Sequence, residues 1–204
     1  MSSNQRSLKA YSVLKTRFLA KTAILGVLSF LIMLIETPIP LFAAFLKLDL
    51  SDVPALLAGF SMGPGAGLAV ELVKNVLHSF RSQTALIGEV ANFLTGALLV
   101  VPAAWIYSLK KTKKNAILGM IVGTIVMSIG MSIANYYVII PLYQTVLNLP
   151  IDAVVAMGTQ ANPYIVDLKT LVIFSMLPFN ILKGIIVTII TSIVYKKVFP
   201  WLHR

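Results

Sequence analysis

Cysteine is absent from this chain of 204 residues, and charge is scarce, with Asp, Glu, Lys and Arg together at 12%. The first absence excludes disulfides, thiol nucleophiles and Fe–S or cysteine-zinc sites. Histidine occurs only at 78 and 203, so no metal-binding cluster is readable either. No Gly-x4-Gly-Lys-Ser/Thr phosphate loop is present, which rules out ATP hydrolysis by that route. Neither a Gly-x-Ser-x-Gly nor a His-Glu-x-x-His motif occurs, and no catalytic constellation stands out, so the chain is not expected to be an enzyme or to carry a cofactor.

What is present is apolar. Hydrophobic residues reach 58% and the mean hydropathy is +0.89, where soluble domains are roughly a quarter charged. So small a chain has too little interior to hide that much apolar surface from water, and lipid is the expected solvent. The net charge of +10 sits in short clusters at the ends of apolar runs. That distribution follows membrane topology, and a nucleic-acid partner is not expected.

A membrane-crossing helix needs about 20 mostly apolar residues. The pattern predicts one all-α domain over 1–204, an integral membrane bundle with helices at about 18–36, 52–62, 65–80, 84–109, 115–140 and 169–197. The first apolar run is longer than a signal-peptide core of roughly 7–15 residues, so it is expected to be a retained helix. It stops at Glu36-Thr37-Pro38-Ile39-Pro40. Leu41 to Leu50 reads as a loop with a buried face, and Ser51 as a cap before the early Pro54 of a short second helix. Gly63 to Gly67 breaks helices 2 and 3 apart, Pro141 ends helix 5, and 142–168 is a long loop with one short surface helix. With both termini in the cytoplasm, inner segments hold twelve basic residues (Arg6, Lys9, Lys15, Arg17, Lys21, Lys110, Lys111, Lys113, Lys114, Lys196, Lys197, Arg204), and outer segments hold only Lys47, Arg81 and Lys169. That bias matches the positive-inside rule. Fusing helices 2 and 3 into one crossing would move the Lys110–Lys114 cluster outside, so six crossings are expected.

A charge near the bilayer centre costs about 2.5–3.5 kcal/mol on insertion scales. Each one left there needs a reason. Helix 3 carries Glu71, Lys74, Asn75 and His78, whose spacing suits a self-neutralising pair or the wall of a polar cavity. Glu89 and Asn92 are three apart in helix 4, with Glu89 near the outer end, where water solvates it. In helix 6, Pro178 frees the carbonyl of Phe174, and Asn180 and Lys183 follow on one face with no acid within a turn. An unpaired lysine beside an asparagine and a proline kink points to a ligand site; the alternative is a lysine that snorkels to a headgroup or pairs with Glu71 or Glu89 across the bundle. Asn135 has the same character. Asparagine offers a donor and an acceptor together, whereas lysine offers donors only. Two asparagines and a lysine therefore suit the edge of a heterocycle that shows carbonyl and N–H groups, with nearby aromatics and Met against its faces, and are equally compatible with many other ligands.

Phe45-Leu46-Lys47-Leu48-Asp49-Leu50-Ser51-Asp52-Val53-Pro54, Gly63-Pro64 with Gly67, Val73-Lys74-Asn75, Ala91-Asn92-Phe93-Leu94, Asn135-Tyr136 and Pro178-Phe179-Asn180-Ile181-Leu182-Lys183-Gly184 resemble the riboflavin-specific S components of energy-coupling factor transporters. The likeness runs over nearly the whole chain and in the same order. It implies a vitamin-capture subunit of a bacterial plasma membrane that docks on a membrane coupling protein (the T component) driven by two ATP-binding-cassette ATPases. It also implies that Asn135, Asn180 and Lys183 hydrogen-bond the isoalloxazine, with Lys47 and Asp49 on the loop that covers the ligand. Such subunits dock through a small-residue ridge on helix 1. Here Ala20, Ala23 and Gly26 stand near that ridge, but Val27 occupies the second alanine position. An S component for another vitamin and a self-sufficient secondary transporter are the competing readings; no inverted repeat supports the second.

Overall fold

The structure, a computed structural model, describes the backbone of residues 3–202 and the side chains of residues 16–195. The basic side chains of Arg6, Lys9, Lys15, Lys196, Lys197 and Arg204 lie outside the described residues. Helix α1 (Ser3–Met33) leads into a two-residue antiparallel pairing of β1 (Thr37–Pro38) with β2 (Lys47–Leu48), then α2 (Asp52–Met62), α3 (Pro64–Ser79) and α4 (Ile87–Leu109). Next come α5 (Lys113–Ala134), α6 (Ile140–Leu147), α7 (Ile151–Thr159), α8 (Leu168–Leu171) and α9 (Leu177–Leu202).

The protein is all-α among the described residues, apart from that pairing. Among the described residues, four helical stretches are long and apolar enough to cross a membrane: Thr16–Met33, Ile87–Leu109, Lys113–Leu147 and Leu168–Tyr195. The six expected spans are thus reduced by this measure, because α2 and α3 have only 11 and 16 residues. Residues 52–60 of α2 are all buried. A helix covered all round belongs to the interior, and α1, α3, α4 and α9 pack about it. The break between α2 and α3 falls on Gly63, whose φ of 99° is open to glycine and strained for other residues.

Several boundaries differ from those expected. α1 ends at Met33 rather than 36, and α4 starts at Ile87 rather than 84, because Ala85 and Leu86 both take positive φ. Pro141 does not end helix 5. The chain widens into a π-turn over Asn135–Ile139, where Ile140 N–H donates to the Asn135 carbonyl, and continues as α6. A second π-turn, Val172–Met176, joins α8 to α9, with Leu177 N–H donating to the Val172 carbonyl. In both cases a proline (Pro141, Pro178) follows the closing residue. A proline lacks the N–H that a regular turn would use, and the wider turn absorbs the mismatch. The expected single surface helix within 142–168 is two pieces, the end of α6 and the whole of α7. α8 opens on a capping box in which Asp167 accepts from Thr170 N–H at 2.7 Å. That bond and the Thr170 hydroxyl hold the Asp167 carboxyl below its ordinary value.

Candidate binding cavity

The end of the bundle where α1 and α3 finish and α4 and α9 begin holds a cavity of 540 Å³. Small-molecule sites run from roughly 300 to 1,000 Å³. Its polar wall brings Asn92 of α4, Asn135 of the first π-turn, and Asn180 and Lys183 of α9 together. Phe45, Tyr143, Phe179, Met33, Met131 and Met157 supply apolar surface, and Glu36, Lys47, Asp49, His78, Arg81 and Glu89 add charged or titratable groups.

All five residues expected to contact a ligand, Asn135, Asn180, Lys183, Lys47 and Asp49, line this space. The two π-turns help to place the first three. One begins at Asn135 and the other ends two residues before Pro178, so wall positions sit where the helical register changes. π-turns are frequent at functional sites for that reason. No hydrogen bond ties the side chains of Asn135 or Asn180 to other described residues, and Asn92 Oδ1 is buried without a partner. In the sequence Asn92 appears through its spacing from Glu89 and within the Ala91–Leu94 segment, but not as a ligand contact. Its unsatisfied oxygen is visible only once α4 is packed.

Lys183 departs from expectation. It is not unpaired: its Nζ lies 3.0 Å from Asp49 Oδ2 and 3.0 Å from Asp52 Oδ2. These acids are more than 130 positions away in sequence, so a search within one helical turn missed them. Nor is Ser51 a helix cap. Its backbone is already helical and it makes no capping bond. Instead Ser51 N–H donates to Asp49 Oδ1 at 2.9 Å, Ser51 Oγ also donates to Asp49 Oδ1, and Lys74 Nζ donates to Ser51 Oγ at 3.0 Å.

Behind the wall, Lys74 lies 2.9 Å from Asp52 Oδ1 and 2.6 Å from Glu71 Oε2, with all three side chains fully buried. The self-neutralising reading of α3 therefore holds for Glu71 and Lys74, with Asp52 as a third member; none of the three lines the cavity. Gly96 makes room for Glu71, since a Cβ there would collide with its carboxylate. His78 does line the cavity. Its Nδ1 is 2.9 Å from Glu89 Oε1, while Ser82 Oγ donates to Glu89 Oε2 at 2.8 Å. Glu89 is thus buried and hydrogen-bonded rather than solvated.

The loop that carries Asp49 is fastened at several points. Lys47 pairs with Glu36 across the β1–β2 ladder, Ala43 N–H donates to Ser175 Oγ at 3.0 Å, and Phe42 packs edge-on against Phe179 at 5.5 Å between ring centres. Of the helix 1 residues considered for docking, Ala20, Ala23 and Val27 are exposed. Gly26 is buried against Val73 of α3 and takes no part in that face.

Residues 17–195 match the family model described as the ECF transporter, substrate-specific component. The chain is 40% identical to the riboflavin transporter RibU of Staphylococcus aureus over 182 residues, covering 89% of this chain and 90% of that protein. It is 36% identical to the riboflavin transporter FmnP of Bacillus subtilis over 194 residues, covering 94% and 96%. A solved S component of a bacterial ECF transporter superposes with a TM-score of 0.74 at 37% identity, covering 93% of this chain and 99% of that one.

Proposed function

This chain belongs to the substrate-specific components of ECF transporters, and from that premise we propose that it captures riboflavin in the 540 Å³ cavity and hands it to an ATP-driven importer. The observation that carries the reading is the wall of Asn135, Asn180 and Lys183 facing one cavity. Two amides without hydrogen-bond partners among the described residues supply donors and acceptors, and a lysine supplies a donor, which suits the carbonyl and N–H edge of a flavin. Asn92 joins them as a fourth polar contact. Phe45, Tyr143 and Phe179 with three methionines cover the apolar ring. Lys47 acts as a latch through Glu36, and Asp49 as a holder of Lys183.

The protein crosses the bilayer six times with both termini in the cytoplasm, which puts the cavity at the outer end of the bundle. The vitamin enters there, with the loop between α1 and α2 lying over it. The sequence holds no phosphate loop, so energy comes from a membrane coupling protein and two ATP-binding-cassette ATPases. The exposed stripe Ala20, Ala23 and Val27 on α1 lets a partner helix approach closely.

The test is direct. Protein purified in detergent quenches riboflavin fluorescence with one-to-one stoichiometry. Absence of quenching at micromolar riboflavin overturns the assignment.

A further inference from the structure

Lys183 is held by two carboxylates before any ligand arrives, at 3.0 Å from Asp49 and 3.0 Å from Asp52. An ammonium has three N–H donors; one goes to Asp49, Asp52 draws on the same nitrogen by charge at 3.0 Å, and donor capacity is left for a molecule in the cavity. Asp52 is fixed in turn: its second oxygen takes the Lys74 ammonium at 2.9 Å, and Lys74 is itself 2.6 Å from Glu71. Asp52, Lys74 and Glu71 are wholly buried and none of them lines the cavity. A flexible lysine stem would otherwise have several rotamers to choose from. The carboxylates remove that freedom and also offset the charge, so an incoming anion would meet two negative groups around the same nitrogen.

We infer that Asp52, backed by Lys74 and Glu71, is a positioning residue that holds the Lys183 ammonium by charge and so aims its remaining donor capacity at a neutral acceptor on the ligand, of the ring-carbonyl class. This rests on the flavin reading above. Asp52 acts through Lys183 and touches no ligand.

The test is a set of riboflavin affinities, read by fluorescence quenching on the full-length chain in detergent. Wild type is compared with Asp52→Asn, with the triple variant Asp52→Asn/Lys74→Met/Glu71→Gln, with Lys183→Met, and with Asp52→Asn/Lys183→Met. The triple variant removes the supporting cluster without stranding a charge, and it carries the test if the single variant does not fold. Asp52→Asn weakens binding about tenfold to a hundredfold, the range for losing a hydrogen bond to a charged group. The triple variant shows the same loss. On the Lys183→Met background, adding Asp52→Asn costs nothing further. Unchanged affinity in a folded Asp52 variant, or an equal loss on both backgrounds, marks a purely structural role and overturns the inference. Wild-type protein that fails to quench riboflavin overturns the flavin reading and this inference together. Wild-type quenching with additive losses overturns the inference alone.

Discussion

A polar side chain kept at membrane depth has to be satisfied, and this protein does so in two ways. Lys74 finds its partners inside the fold, between Asp52 and Glu71. Asn135 and Asn180 face a cavity, and their amides have no hydrogen-bond partner among the described residues. The two classes should respond differently to truncation. Lys74→Ala leaves buried Glu71 without its counter-charge and Asp52 with Lys183 alone, and breaking a buried pair costs about 3–5 kcal/mol of folding stability; ligand-free thermal unfolding in detergent measures it. Asn180→Ala and Lys183→Ala instead weaken riboflavin binding by about 1–3 kcal/mol each, measured by quenching. Unchanged affinity in both, with normal folding, would place the site elsewhere. The wall residues were legible in the sequence because the cost of burying them in lipid demands an explanation. The partners of Lys183 were not, because Asp49 and Asp52 reach it only through the placement of α2 in the centre of the bundle.

Helices show the same division. Long apolar runs bounded by basic clusters mark α1, α4, α5 and α9 without reference to packing. The prolines mislead at this scale. A proline one turn past a helical run is read as a terminator, and Pro141 fits that rule until neighbouring helices are present to cover the freed carbonyls. In the fold Pro141 and Pro178 each follow a π-turn, and those turns set the register of Asn135 and of the Asn180–Lys183 pair. Pro178→Ala restores the missing N–H and allows a regular turn to form. The register of Asn180 and Lys183 then drifts from the cavity. The expected result is riboflavin affinity about tenfold lower, since displaced buried polar groups lose about 1.4 kcal/mol or more of hydrogen bonding, with thermal stability of the ligand-free protein held or raised. Equal affinity in the variant would show that the π-turn does not set the site.

At the scale of the whole molecule the surface is inverted relative to a soluble protein. Ile121, Ile125, Ile129 and Ile133 of α5 are all exposed, as are Ile185, Ile189 and Ile193 of α9. A spacing of four puts each set on one helical face, and such ladders belong against lipid chains. The proposed topology turns on α2 and α3. At 1.5 Å per residue α2 is about 16 Å long and α3 about 24 Å, against about 30 Å of hydrocarbon. A hairpin that enters and leaves on the same side would keep the charge bias intact, so charge alone does not separate it from two crossings. Packing favours two. The start of α2 meets Lys183 through Asp52, while Phe60 near its end packs against Tyr107 at 4.9 Å and edge-on against Tyr195 at 5.9 Å between ring centres. Tyr107 lies just before the Lys110–Lys114 cluster, so α2 runs from the cavity to the basic end of the bundle, aided by the cover of its neighbours. The absence of cysteine makes this testable with single substitutions and no background. A membrane-impermeant maleimide should label Gln160→Cys from outside in intact cells, and Lys111→Cys and Gly65→Cys only after the cytoplasmic side is opened. Gly65 is exposed at the α2–α3 turn; if Gly65→Cys resisted the reagent from both sides while Lys111→Cys reacted from within, the turn would lie at membrane depth and the protein would cross four times.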